Sequence, residues 1–537
     1  MNRKQIIIIV SLLLLVGLFS GLSQIELRAE EPRRAVVSME MVITGDYVVP
    51  HITGLNYYNK PPAFNWLMAL FFKLFGSFDE WVVRLPSLLS LVGLSLVHFF
   101  FSKQYIGNVK AALSSLFLIS AADMLFYGSV NSGEIDLFYA LICYLQVAFI
   151  FYYYKHKKWW LLFILSYGFA TVGFLTKGVP TLAFQALTLL VYFGVKKDLK
   201  RLISMQHAVG ILLFVGINAL YLYSYSQEAD VNTFLIRQFK EASQRTAAES
   251  NWLLISQQFF SFPIRFFVLL LPWGLFLVTW FKKGRMQSAI KNDWIQFCLV
   301  FVLANIGLYW ISGEFKARYY YMFFPFVLSC LVYYAHHFFE HKGGRITWSI
   351  LLIVLSMLSF FSLFFPSFQF SFGKLVLMFV QIVGLSFFLM LGLKTQYRML
   401  SMIGILALAR IAFNFSYLPA YQEDHDNTSY RESCAQIVEI TQDKPIYLIT
   451  ETYKMESVTS LGPLKVEETE ISSPLLAYQI PYYISKLNQH VLKYVDEPQS
   501  GEFHLVAQDM LKDDWESLAT VRDGWVLNKT FHLVRLP

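Results

Sequence analysis

Two adjacent carboxylates, Glu30 and Glu31, open a polar stretch that runs on to Lys60-Pro61-Pro62. Neighbouring carboxyls can divide acid and base work, because local charge and desolvation separate their proton affinities. A second acidic pair, Glu134 and Asp136, lies in Asn131-Ser132-Gly133-Glu134-Ile135-Asp136, just before an apolar run. Cations recur at comparable places: Lys177 in Leu175-Thr176-Lys177-Gly178, and Lys316 and Arg318 beside Tyr319 and Tyr320. An arginine fork binds phosphate through paired hydrogen bonds and a lysine supplies a point charge, so this set suits an anionic ligand, with a carboxylate left to accept a proton.

The elements that must position these groups are membrane spans. Of 537 residues, 56% are hydrophobic, 18% aromatic and only 15% charged, against about 25% charged in soluble domains, and the mean hydropathy is +0.48. A hydrocarbon core needs about 20 apolar residues in helix, and roughly thirteen such runs are expected by that measure. They lie at about 5–23, 83–102, 109–127, 135–154, 159–175, 179–195, 206–226, 262–281, 294–311, 319–338, 346–365, 372–393 and 399–417. The first follows Arg3 and Lys4 without a small-residue cleavage site and reads as a retained helix, not a signal peptide.

Alternate short connections carry Lys103 and Lys110, Lys155 to Lys158, Lys196 to Arg201, Lys282 to Lys291, Lys342 and Arg345, and Lys394 and Arg398. These belong with the N-terminus in the cytoplasm. The 24–82 loop, the 227–261 loop and the tail then lie outside, in a protein expected in a bacterial inner or plasma membrane. The net charge of +7 therefore reports topology, and no nucleic-acid partner is implied. Cys143, Cys298 and Cys330 fall in apolar spans and Cys434 in the tail, with no disulfide or zinc spacing. Walker and dinucleotide fingerprints are absent, so nucleotide-driven transport and nicotinamide redox chemistry have no support in the sequence.

The expected architecture is a polytopic α-helical domain, 1–418, followed by a soluble α/β domain, 419–537. Within the first loop Ala63 to Gly76 reads as an interfacial helix. In the tail, PIYLIT, FHLVAQ, GWVLNK and FHLVRL read as strands, and RESCAQIVEITQ and AYQIPYYISKLNQHV as helices. Its acidic run, Glu451 to Glu470, reads as a solvated face, and Asn427-Thr428-Ser429 is a weak glycosylation sequon.

The run Ala35, Ser38, Glu40, Met41, Gly45-Asp46, Pro50, Gly54, Tyr57, Lys60-Pro61-Pro62, Trp66 and Val83-Arg84-Leu85-Pro86 resembles the first external loop of GT-C class polyprenol-phosphate-sugar glycosyltransferases. These are the family-39-like enzymes that include protein O-mannosyltransferases and lipid A aminoarabinose transferases. That family has Asp-Glu-x-x-Tyr where this chain has Glu30-Glu31-Pro32-Arg33-Arg34. Leu-Thr-Lys177-Gly and Lys316-Ala-Arg318-Tyr319-Tyr320 resemble further family segments, and Asp136 stands where the family ends Arg-Leu-Asp.

The resemblance implies an inverting transferase moving a sugar from a polyprenyl-phosphate donor to a lipid, glycan or protein acceptor at the outer face. It makes Glu30, Glu31 and Asp136 the catalytic candidates, with Lys60, Lys177, Lys316, Arg318, Tyr319 and Tyr320 on the donor phosphate. Secondary candidates are Glu134, Arg245 (paired with Glu241 four residues before it), His51 and Arg84. No cofactor is required by any motif; a divalent ion between Glu30, Asp136 and the donor phosphate is compatible with the residue types. Plainer roles compete: a helix-start acid for Asp136, interfacial anchoring for the lysines and tyrosines, and an ordinary ion pair for Glu241 and Arg245. The competing functions are a lipid-linked sugar flippase and a non-catalytic envelope assembly protein. A flippase would be expected to carry internal repeats and mid-bilayer charge, whereas here the charges gather at one face.

Overall fold

The computed structural model describes residues 2–126, 132–243, 252–310, 315–364, 371–419, 429–455, 471–474, 476–524 and 529–536. The chain is an integral membrane protein, and helices occupy the expected apolar runs. Among the described residues eight are long and apolar enough to cross a membrane. A ninth span arises if Ile255–Leu269 and Trp273–Phe281, which meet at 118°, count as one. Asn108–Ser120 and Pro180–Val195 are apolar but shorter. The expected span 319–338 is instead three pieces, Ala317–Phe323 and Ala335–Phe339 in 3-10 form around the α-helical Phe324–Tyr333, with Pro325 in the first α-helical turn. Proline has no amide to donate and clashes with the preceding turn, so helices start at it more readily than they pass through it.

Helix α1 (Arg3–Phe19) begins in a capping box, Asn2 accepting from the Gln5 amide while the Gln5 side chain accepts from the Asn2 amide. It buries Ile6, Val10, Leu14 and Leu18, one residue per turn, against the helix Arg398–Ala412. Asn414 donates to the Gly17 carbonyl at 2.7 Å, so α1 is held as a bundle member.

The 24–82 segment is more structured than its polar sequence suggests. Helix α2 (Glu31–Thr44) starts with Pro32 in its first turn and stops at Gly45, whose φ of +81° suits glycine. From Glu31 to Met41 only Arg33 escapes burial, as expected of a helix enclosed on all sides. A two-residue hairpin follows, β1 (His51–Ile52) and β2 (Leu55–Asn56), then α3 (Ala63–Phe75), which occupies the expected interfacial segment and leaves Leu70 and Leu74 exposed. The bundle helices nearest the site are α4 (Glu80–Ile106), α5 (Asn108–Ser120), α6 (Ala122–Phe126), α7 (Asp136–Lys155), α8 (Trp159–Lys177), α9 (Pro180–Val195) and α10 (Met205–Ser226). In the 227–261 segment, α11 (Val231–Ser243) packs Phe234 on Tyr225. The helix Trp252–Leu269 begins inside the segment expected to be loop up to 261.

The tail carries β3 (Ile446–Ile449), β4 (Thr452–Met455), β5 (Ile471–Pro474), β6 (Lys493–Tyr494), β7 (Phe503–Ala507), β8 (Ser517–Asp523) and β9 (Lys529–Arg535), with helices Tyr430–Thr441 and Gln479–Asn488. The five-stranded sheet runs β6-β3-β7-β9-β8. The strand expected at GWVLNK falls mostly on residues 525–528, which are outside the described residues; β8 lies just upstream of it. Also outside are the sequon's Asn427 and Thr428 and all of the acidic run from 456 to 470. One apolar core joins this tail to the first loop, with Val36, Val37, Met39 and Phe64 packed among Ile437, Ile446, Ile480 and Leu505.

Candidate active site

Five separate stretches converge on one cavity of about 160 Å³. The start of α2 contributes Glu30, Arg33 and Arg34; the loop before α3 contributes Lys60; the turn into α7 contributes Glu134, Ile135 and Asp136; the end of α8 contributes Lys177; and the chain entering Ala317–Phe323 contributes Lys316, Arg318 and Tyr319. Six cationic side chains therefore face three carboxylates, an excess of positive charge in a confined space. Fields in such clefts are focused by low-dielectric walls, which draws in anions.

The carboxylates are not equivalent. Glu30 pairs with Arg33 and keeps about a third of its side chain exposed. Burial pushes its carboxyl up, but Arg33, Arg34, Arg318 and Lys60 outweigh burial and hold it below the usual range. Asp136 sits in the first turn of α7, where the helix dipole favours an acid. It is paired with Lys177 and lies 3.8 Å from Arg318 Nε. Glu134 accepts from Arg318 Nη1 at 2.6 Å. Burial, together with the Asp136 charge, raises the Glu134 carboxyl despite that partner, while the two acids raise Arg318 in turn, against its own desolvation. Lys177 also lies over the rings of Tyr139 and Tyr319, at 5.0 and 4.8 Å.

Several candidates fall elsewhere. Glu31 and Arg84 do not line the cavity: both side chains are fully buried and paired at 2.9 Å. Arg84 also donates to the carbonyls of Leu22, Ile25 and Glu26, and Glu31 accepts from the Gly133 amide at 3.2 Å. The pair ties α2 to α4 and to the 132–135 turn from behind. Gly133 is needed there, since a Cβ would meet the Val83 side chain at 2.6 Å and its carbonyl at 2.8 Å. Tyr320 is buried among Phe262, Phe266 and Phe315, and His51 faces Asp46 at 3.5 Å outside the lining. Arg245 lies outside the described residues. Arg33 and Arg34 were not singled out as site residues. Their signal was two consecutive cations in a loop expected outside, against the positive-inside trend. Arg34 is fixed by donating to the Tyr57 hydroxyl at 2.9 Å.

Among the described residues, one group of His, Cys, Asp or Glu is close enough to share a metal: His336, His337 and Glu340, none of which lines the cavity. Inside the cavity each acid already faces a cation.

Residues 59–223 match the family described as dolichyl-phosphate-mannose-protein mannosyltransferase. The chain is 35% identical over 184 residues to an undecaprenyl phosphate-alpha-4-amino-4-deoxy-L-arabinose arabinosyl transferase of Aeromonas hydrophila subsp. hydrophila, covering 32% of each chain. It is 29% identical over 288 residues to one from Pseudomonas fluorescens, covering 52% of this chain and 51% of that one. The matched portion thus spans a third to a half of these relatives' length. The fold agrees with the crystal structure of ArnT from Cupriavidus metallidurans bound to undecaprenyl phosphate, with a TM-score of 0.68, 18% identity, and 99% of this chain and 98% of that one covered. In fold the chain is similar to that structure, and over residues 59–223 its sequence is similar to that mannosyltransferase family.

Proposed function

We propose that this protein transfers a sugar from a polyprenyl-phosphate donor to a lipid, glycan or protein acceptor at the outer face of the membrane. The observation that carries the reading is the cavity itself, six cations around three carboxylates where five chain segments meet. Lys60, Lys316 and Arg318 hold the donor phosphate and take up the charge it gains as the bond from the anomeric carbon to the phosphate oxygen breaks. Fixed cations aimed at a leaving anion are worth roughly 3 kcal/mol each in such sites. The acceptor hydroxyl attacks the anomeric carbon from the opposite side, with inversion, and its proton passes to a carboxylate.

Glu30 is that carboxylate, because it keeps the most exposed surface of the three. Held ionised by Arg33, it orients the hydroxyl and receives the proton late, as the oxygen loses basicity. Asp136 positions Lys177, and Glu134 holds Arg318 until the donor phosphate takes its place. Tyr319 supports Lys177. Residues 1–418 supply the site and 419–537 brace its outer wall. The N-terminus lies in the cytoplasm and the tail outside, in keeping with the basic residues of alternate connections.

Transfer of radiolabelled sugar from a membrane extract of polyprenyl-phosphate donors, wild type against Glu30→Gln, tests the reading. Label moving only with wild type supports it and reveals the acceptor class. An active Gln variant removes Glu30 from the mechanism, and donor binding without transfer favours a flippase.

A further inference from the structure

The hairpin between α2 and Lys60 turns on Thr53 and Gly54, both at positive φ, +51° and +78°. Two left-handed residues in succession make the tight turn that matches strand twist, but threonine is β-branched and strained there. Glu40, 2% exposed, reaches across from α2 and accepts from both turn amides, Thr53 at 2.5 Å and Gly54 at 3.1 Å. On the other side the Thr53 carbonyl accepts from the Tyr494 amide at 2.9 Å, and a Cβ on Gly54 would touch Lys493 at 3.4 Å. Lys493 and Tyr494 form β6, the edge strand of the tail sheet, and the Lys493 charge also acts on Glu40. The turn thus covers an otherwise open sheet edge.

From the turn the chain has little freedom before it enters the cavity. The Tyr57 amide donates to the Pro50 carbonyl at 2.7 Å, and the Tyr57 hydroxyl holds Arg34. Asn59 accepts from Arg237 of α11, and Lys60 follows at once. We infer that Glu40 and the tail edge strand, through Lys493 and the Tyr494 amide, act together as a positioning clamp on the Thr53-Gly54 turn that sets Lys60 for the lipid phosphate. Glu40 is a positioning residue that never touches substrate, and the tail's contribution to the site is this grip. The inference rests on the phosphate-binding role proposed for Lys60.

The test uses the full-length protein in detergent, with Glu40→Gln, Lys493→Met, Lys493→Arg as the conservative control, Lys60→Ala, and the Glu40→Gln/Lys60→Ala double variant. Hydrogen exchange at residues 51–60 reads the clamp alone: protection should fall at least tenfold in Glu40→Gln and in Lys493→Met, and return in Lys493→Arg. Unchanged protection in both variants overturns the clamp whatever the donor is. Binding of undecaprenyl phosphate reads the consequence. Glu40→Gln should weaken it about tenfold, and the double variant should bind no worse than Lys60→Ala, since residues acting through one another are not additive. Additive losses overturn the link to Lys60 and leave Glu40 a stability residue. If exchange responds as expected but wild type fails to bind undecaprenyl phosphate, the phosphate role of Lys60 falls, and with it the clamp's purpose.

Discussion

Glu30 and Glu31 are sequence neighbours that serve two different regions. Glu30 faces a cavity where cations outnumber acids; Glu31 faces a dry joint where one acid meets one arginine and every remaining guanidinium contact is a backbone carbonyl. The joint is balanced and closed, the cavity unbalanced and open. Charges matched one to one in a closed joint hold structure, whereas a surplus of one sign around open space draws in a ligand of the other. The helix start explains the split: successive residues on an α-helix point about 100° apart, so one carboxylate looks outward while the next looks in.

The largest expected effect lies in the cavity. Arg318→Ala should lower transfer by about 10²- to 10³-fold while the melting temperature changes little, measured with saturating donor; a drop under threefold would place Arg318 outside the phosphate site. At the joint the signature reverses. Glu31→Gln leaves Arg84 buried beside a neutral partner, so unfolding free energy should fall by roughly 3 kcal/mol, read by thermal denaturation in detergent, with transfer per folded molecule kept within a few fold. If Glu31→Gln were instead fully stable and inactive, the division between the two regions would be wrong.

Glu40 extends the comparison to a third buried acid. Burial, working against the two turn amides and Lys493, pushes its carboxyl up to about 7 from 4.5. A raised folded value favours the protonated form in the native state, so this contribution to stability is complete below about pH 4.5 and is lost as pH rises through about 7. Stability measured across that window should therefore carry a downward term of up to roughly 3 kcal/mol, which Glu40→Gln removes. A wild-type profile that is unchanged by the substitution would mean Glu40 titrates normally. The smallest effect belongs to Glu134. Because it competes with ligand for Arg318, Glu134→Gln should tighten undecaprenyl phosphate about threefold in equilibrium binding; weaker binding would show that the acid orients Arg318 more than it occupies it.

The apolar spans and the cationic candidates were readable because each rests on a local rule, run length for the spans and misplaced charge for Lys60, Lys177, Lys316 and Arg318. The fates of Glu30 and Glu31 were not, since they depend on Arg84 and Gly133 arriving from distant segments. Helix α2 was hidden because it opens on the polar and helix-breaking run Glu31-Pro32-Arg33-Arg34, which reads as loop. Its cues were Pro32 and Gly45 at its ends. The break at Pro325 was visible as a residue but not as a boundary, because proline also sits in first turns of longer helices. Strand β8, SLATVRD, has Leu518, Ala519 and Val521 as its apolar residues and ends on two charged ones, so it lacked the apolar rhythm that marked β7 and β9.

The shared core between the first loop and the tail has a consequence for biosynthesis. Gln479 donates to the Leu27 carbonyl across 452 residues of sequence, and Tyr482 donates to the Phe78 carbonyl across 404. At about 5–20 residues per second, the loop leaves the ribosome roughly 20 to 90 seconds before its packing partner exists. The protein is therefore born with the wall of its candidate site unfinished, and the late-translated helix Gln479–Asn488 is the element that closes it.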